Sequence, residues 1–216
     1  MAGFTVFGAA ASGSVPVEAA LTLLGLPYEV VEAVTWQDEA ARKRVEAVNP
    51  LRQVPALVLP SGEIMTESAA ILIHLADLHP EARLAPAIDD PKRARYLRWM
   101  TYVSAEIYAL FWIKGDAMRI AAGKDDAPRV IDRVHDRIAE CWRRMDEQVA
   151  PGRYILSDEL SVLDLYVTVI SRFGPWRTRF YKTAPKMAEV VRRVDADPRL
   201  QDLWAKRFPF YEGWER

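Results

Sequence analysis

Cysteine is nearly absent from this chain: Cys141 stands alone among 216 residues, so no internal disulfide can form. It lies in "IAECWRRM", on an apolar helical stripe, where burial is expected rather than a reactive thiol. Histidine is scarce too. His74, His79 and His135 have no cysteine partners and no spacing that sets two of them on one helix face, so no metal site is expected. Net charge is missing, with 29 Lys and Arg against 30 Asp and Glu, which leaves no global field to gather nucleic acid or an anionic membrane. The runs "RKR" (42–44), "RR" (143–144) and "RR" (192–193) lie beside acids on helical stretches and read as solvated faces. No apolar run approaches the roughly 18 residues of a membrane span. "MAGFTVFG" also lacks the charged start and apolar stretch of a secretory signal. The expectation is a cytoplasmic protein without nucleic-acid or membrane partners.

What is present is the balance of a globular protein, 50% apolar and 27% charged. Two halves differ in their patterns. In the first, "FTVFG" is a short buried strand, "VPVEAALTLLG" a helix with Pro16 in its first turn and Gly25 at its end, and "YEVVEAV" a second strand. "QDEAARKRVEAVN" reads as a helix, "PALVLP" and "EIMT" as a hairpin about Ser61-Gly62, and Glu67 to Asp77 as a helix with Ala70, Ile71, His74, Leu75 and Leu78 on one face. The order is βαβ, αββα. "HPEARLAPAIDDP" has neither period and serves as a linker, placed at residues 80–90 between a first domain (1–79) and a second (91–216). After Asp90-Pro91, a helix start, the spacing predicts helices over 91–114, 128–149, 162–172, 185–196 and 198–207. Ile131, Val134, Ile138, Cys141, Trp142, Met145 and Val149 form the stripe of the second. In "ELSVLDLYVTVI", Ser161 and Asp164 have the spacing of a capping box, a folding element rather than a catalytic one.

One stretch calls for more than folding. In "QVPALVLPSGEIMTESAAIL" (53–72) a proline interrupts a strand entrance, where it costs a ladder hydrogen bond. A trans proline on an edge strand would satisfy the pattern with nothing bound. A cis bond would instead turn the Val54 carbonyl and N–H away from the sheet, free to pair with an extended peptide. A dozen residues later, Glu67-Ser68 opens a helix whose free N–H groups suit a carboxylate, with the Ser68 hydroxyl as donor and the Glu67 carboxylate as acceptor for an amino group. The two features would hold the two ends of one small peptide.

With "NPLRQVPAL", "ESAAILIHLAD", the linker, the helical second half and the "SVLD" cap, the whole chain resembles the glutathione transferases. The resemblance implies an α/β N-terminal thioredoxin-like domain with a mixed four-stranded sheet, an all-α C-terminal domain, and glutathione as co-substrate. It implies that Val54 pairs with the cysteinyl backbone of glutathione, that Pro55 is cis, and that Glu67 and Ser68 hold the γ-glutamyl group, with Arg52 and Gln53 as further contacts. A homodimer is implied as well.

Such an enzyme keeps the bound thiol as thiolate, the nucleophilic form. The family uses a tyrosine ending the first strand, or a serine or cysteine opening the first helix. Phe7 closes the tyrosine route, leaving Ser12 and Ser14 in "GAAASGSVP". Lowering a thiol pKa by about 2 units takes roughly 2.7 kcal/mol. A hydrogen bond to a charged group supplies about 1.5–3 kcal/mol and a helix terminus about 0.3–1, so one well-aimed hydroxyl suffices. Counting from the strand end favours Ser12 as the donor, and Ser14 falls at the N-cap. The linker and "RWMTYVSAEIYALFW" look most like the bacterial beta class. That class carries a cysteine at the first helix and a histidine facing it, where this chain has no cysteine and has Tyr108. Tyr102, Tyr108 and Trp112 are candidate walls for an apolar electrophile, and "FPFYEGW" (208–214) a candidate cover. The implied activity is conjugation of glutathione to small apolar electrophiles, in the manner of detoxification. The alternatives are a non-catalytic or regulatory module on the same fold, or a glutathione-dependent reductase or peroxidase.

Overall fold

A computed structural model describes residues 3–173 and 177–210. β1 (Phe4–Gly8) alternates buried and half-buried residues, the period of a strand with one face on the core. It runs parallel to β2 (Tyr28–Glu32) through the crossover helix α1 (Val15–Leu23), with Phe4 opposite Tyr28 and Gly8 opposite Glu32. After α2 (Glu39–Glu46), β3 (Ala56–Val58) lies antiparallel to β1 and β4 (Ile64–Thr66) antiparallel to β3. The sheet order is β2-β1-β3-β4, and α3 (Ser68–Leu78) closes a thioredoxin-like first half. The buried face of α3 carries Ala69, Ile71, Leu72, Leu75 and Ala76. Ala70 and Leu78, expected on that face, are exposed, because the face turns toward α1 and the helical half.

The second half holds helices among its described residues and no strand. The helix predicted over 91–114 is three pieces: α4 (Arg93–Tyr102), a π-helical turn (Val103–Tyr108) and α5 (Leu110–Gly115). Asp90 accepts from the Lys92 N–H at 2.7 Å, and the helix proper starts at Arg93. α6 (Ala127–Gln148) buries the expected stripe from Val134 to Met145. The thiol of Cys141 lies within it, and burial pushes its pKa up. α7 (Val162–Ile170) is buried along its whole length, the central helix of the half. α8 (Arg177–Thr183), where the sequence pattern placed nothing, precedes α9 (Pro185–Asp195), and α10 (Gln201–Arg207) follows a 3₁₀ turn at Pro198–Leu200. Asp195 bonds two fully buried guanidiniums, Arg172 and Arg177, each at 2.7 Å. Burial draws Arg172 down to about 10.

One apolar cluster joins the halves, running from Val6 and Leu57 of the sheet through Leu72 to Ile107, Leu163 and Tyr166. α1 packs on both α3 and α7. The predicted capping box is present. Asp164 Oδ2 accepts from the Ser161 N–H at 2.8 Å and its hydroxyl at 2.7 Å, while Oδ1 accepts from the Ile155 N–H at 2.9 Å. Burial nevertheless pushes this carboxyl up to about 6, the desolvation outweighing its hydrogen bonds. Next to it the Val162 N–H donates to the Leu84 carbonyl, tying the stretch 80–90 to α7.

Asp164→Ala would leave two buried N–H groups without acceptors, at about 1–3 kcal/mol each. Denaturant unfolding is expected to show a loss of about 3 kcal/mol. A loss below about 1 kcal/mol would mean that the box does not hold α7.

Candidate active site

Strand register brings the candidate residues together. Phe7 is opposite Ala56, and Ala56 is opposite Thr66. Three neighbouring strands therefore share one sheet end, and the chain beyond Phe7, before Ala56 and after Thr66 emerges there. These are the loop 9–14, Val54-Pro55 and Glu67-Ser68.

Asn49 builds the second of these. It is buried, its amide donates to the Gln53 carbonyl at 2.8 Å, and its Oδ1 accepts from the Leu51 N–H at 3.1 Å. Arg52 takes the left-handed region at φ 57° and pairs with Glu39. Gln53 is exposed. The Val54-Pro55 bond is cis, as the resemblance implied. The side chain of Val54 packs with Phe7 on the α2 face, and its backbone N–H and carbonyl bond to no described residue. At the third site Glu67 has φ 66°, ψ 102°, a conformation costly for a non-glycine residue and concentrated at functional sites. Ser68 is buried, and its hydroxyl donates to the Tyr166 phenol of α7 at 3.0 Å rather than standing open. The N–H groups of the first turn of α3 face the same sheet end.

In the first loop both serines are buried. Ser14 does not cap α1 with its side chain: its backbone is already helical at φ −77°, ψ −27°. Its hydroxyl donates instead to the buried Glu18 carboxylate at 2.8 Å. Its oxygen accepts from the Ala9 N–H at 3.2 Å. Gly8 permits this fold-back, since a Cβ there would lie 2.4 Å from Ser14 Oγ. With its proton held by Glu18, Ser14 is the acceptor in the 3.0 Å contact with Ser12 Oγ, which in turn accepts from the Ser14 N–H at 3.1 Å. Ser12 is the serine whose proton can be redirected.

A family model described as the glutathione S-transferase N-terminal domain matches residues 9–83. The chain is 30% identical over 200 residues to an uncharacterised glutathione S-transferase-like protein, YncG, of Escherichia coli strain K12, across 92% of this chain and 95% of that one. The chain belongs to the glutathione S-transferase family. It is 25% identical over 167 residues to the glutathione S-transferase GstA of Escherichia coli O157:H7, across 74% of this chain and 80% of that one. A glutathione transferase homologue from Sulfitobacter, solved with bound glutathione, superposes with a TM-score of 0.81 at 25% identity, covering 95% of this chain and 99% of that one.

In this family member the three aromatic residues expected around one pocket go to three places. The Tyr102 hydroxyl donates to the Cys141 carbonyl of α6 at 3.1 Å. Trp112 is exposed with the Arg119 guanidinium 4.5 Å over its ring. Tyr108 alone reaches the site. The π turn, with the Ala109 N–H donating to the Ser104 carbonyl, lies between Tyr102 and Tyr108 and rotates one away from the other; past it the Trp112 N–H donates to the Ala109 carbonyl, three residues back. Tyr108 stacks on Phe173 at 5.8 Å, meets Tyr166 edge-on at 6.3 Å, and its phenol oxygen accepts from the Gly13 N–H. Burial raises the Tyr108 pKa and pushes Tyr166 up to about 12, so both stay neutral donors at pH 7. Phe208 meets Phe173 with tilted rings at 5.5 Å, so the start of "FPFYEGW" does pack near Tyr108, and residues 211–214 lie outside the described ones. Sequence reasoning missed Asn49, Glu18, Tyr166 and Arg207. Asn49 was within reach, as the polar residue opening "NPLRQVP", and so was Glu18, four residues after Ser14; Tyr166 and Arg207 act across 98 and 189 residues of chain.

Gly13 has a specific reason to be glycine, because a Cβ would fall 2.1 Å from Tyr108 Oη. Gly13→Ala is expected to cost about 1–3 kcal/mol by overpacking. Tyr108→Phe, which removes the clashing oxygen, should recover part of that loss in the double variant. Additive losses in a denaturant cycle would show that the two residues do not touch.

Proposed function

We propose that the chain is a glutathione transferase that joins the glutathione sulfur to a small apolar electrophile. The observation that carries this reading is the unpaired backbone of Val54 beside cis-Pro55, on the same sheet end as the α3 N-terminus and Ser12. An extended tripeptide would add to Val54 as a short strand. Its γ-glutamyl carboxylate would take the first-turn N–H groups of α3, and its amino group the exposed Glu67 carboxylate. Ser68, with its hydroxyl given to Tyr166, would contribute its backbone N–H. Gln53 would serve the peptide as a contact, and Arg52 less directly through its pairing with Glu39.

The thiol loses its proton to water, and Ser12 turns its hydroxyl from Ser14 to the sulfur. The thiolate forms a C–S bond to the electrophile as the leaving group departs with its bonding pair. Ser12 keeps its own proton throughout. Ser14 holds Ser12 from behind, its N–H donating to Ser12 Oγ, and Tyr108 serves as the wall of the electrophile site with a proton to donate. Tyr102 and Trp112, placed elsewhere, have no part in that wall. A homodimer and a detoxifying role in the cytoplasm belong to the same proposal; light scattering at twice the monomer mass checks the first.

Calorimetry is expected to detect glutathione binding, with turnover of a chlorodinitrobenzene-type substrate rising to a plateau above about pH 6.5, about 2 units below a free thiol. Ser12→Ala should keep the binding, lose about 10²-fold in turnover and move the midpoint back toward about 8.5. No heat at millimolar glutathione would end the proposal. A second reading, a binding module without turnover, is favoured by the serine pair being bonded to itself in the ligand-free chain. Retention on immobilised glutathione with no turnover of any electrophile would establish it.

A further inference from the structure

The last described helix reaches back to the first loop. Arg207, at the C-terminal end of α10, donates through Nε to Glu18 Oε2 at 2.6 Å and through Nη2 to Oε1 at 3.1 Å. Nη1 donates to Glu32 Oε2 of β2 at 2.8 Å. Each member of this cluster also holds the loop. Glu18 takes the Ser14 hydroxyl, Glu32 Oε1 accepts from the Ala10 N–H at 3.0 Å, and the Arg207 carbonyl accepts from the Ala11 N–H at 2.8 Å. Ala11 sits in the left-handed region at φ 55°, immediately before Ser12, a conformation that persists only where its surroundings impose it. Glu18 is fully buried, so its charge has to be met inside the protein.

We infer that Arg207 is a positioning residue for the sulfur site: it sets the course of the loop 9–14 and offsets the two carboxylates that stand behind Ser12. The inference deepens the proposed function and, for its electrostatic part, rests on it. The sign follows from the groups facing this end of the sheet. Glu18 comes from α1, Glu32 from β2, Glu67 from the start of α3, Tyr108 from the π turn and Arg207 from α10, while the Tyr28 phenol, bonded to Thr22 nearer the other end of β2, still feels Glu18 and Arg207. The three carboxylates disfavour a thiolate, and Arg207 touches two of them. Removing its charge leaves Glu18 and Glu32 uncompensated and raises the pKa of the bound thiol. Neutralising Glu32 has the opposite sign and a smaller size, since Glu32 is 47% exposed and screened by water.

Two variants of the full chain test this, Arg207→Met and Glu32→Gln, with Arg207→Lys as the conservative control. The bound-thiol pKa, read from thiolate absorbance in the ultraviolet and from the pH profile, is expected to rise by about one unit in R207M. Turnover below the wild-type midpoint should fall about tenfold, with little change in glutathione affinity. R207K should recover most of the pKa, and E32Q should lower it by a few tenths of a unit. Hydrogen exchange of the Ala10 and Ala11 amides in ligand-free R207M should lose protection. Unchanged exchange there, or variants that lose turnover in parallel with no movement of the pKa, would overturn the inference. If R207M does not fold, the downward shift in E32Q decides the electrostatic part, and its absence overturns it. A wild-type chain that does not bind glutathione would refute the proposed function, while the exchange experiment would still decide the role of Arg207.

Discussion

Phe7, Ala56 and Thr66 lie in one row across three strands, and the remainder of the site follows from that row. An antiparallel ladder fixes which residues face each other, and a slip by one residue would turn Val6 and Leu57 out of the core. Both are fully buried, so the register is strongly specified. Once it is, the loop after β1, the residues before β3 and the start of α3 have to emerge together. Three segments far apart in the chain become one site without any of them being long.

Each segment is then held by its own device. Asn49 fastens the loop before Pro55 from within, leaving the Val54 backbone unpaired. Glu67 holds an uncommon backbone conformation at the mouth of α3. Gly13 admits the Tyr108 phenol where any side chain would collide with it. The helical half supplies the walls, with Tyr166 taking the Ser68 hydroxyl and Tyr108 stacked on Phe173. α7, locked at its start by Asp164, carries Tyr166 and packs on α1 and α3, so a folding element supports these aromatic contacts.

The charges behind Ser12 show why local reading stops short. "GAAASGSVPVE" displays two serines and a glutamate four residues after the second, a spacing that the helix turns into the Ser14–Glu18 hydrogen bond. Nothing in that stretch tells that Arg207, 189 residues on, pairs with Glu18. A sequence window sees neighbours along the chain, whereas a buried carboxylate is satisfied by whatever the packing brings to it.

The sequence by itself determined the alternation of strands and helix in the first half, the helical second half, the α7 cap, and the short stretches holding Ser12, Val54-Pro55 and Glu67-Ser68. All of these are local: periodicities, caps and turn residues act within a few positions. Tertiary structure alone decided that Ser14 serves Glu18 and not the helix end, that Ser68 gives its hydroxyl to Tyr166, and that the helix after the linker breaks at Val103–Tyr108 so that Tyr108 turns to Gly13 while Tyr102 and Trp112 turn elsewhere. Those outcomes depend on which distant polar groups and rings share a buried volume, and that is fixed only when the two halves close on α1 and α7.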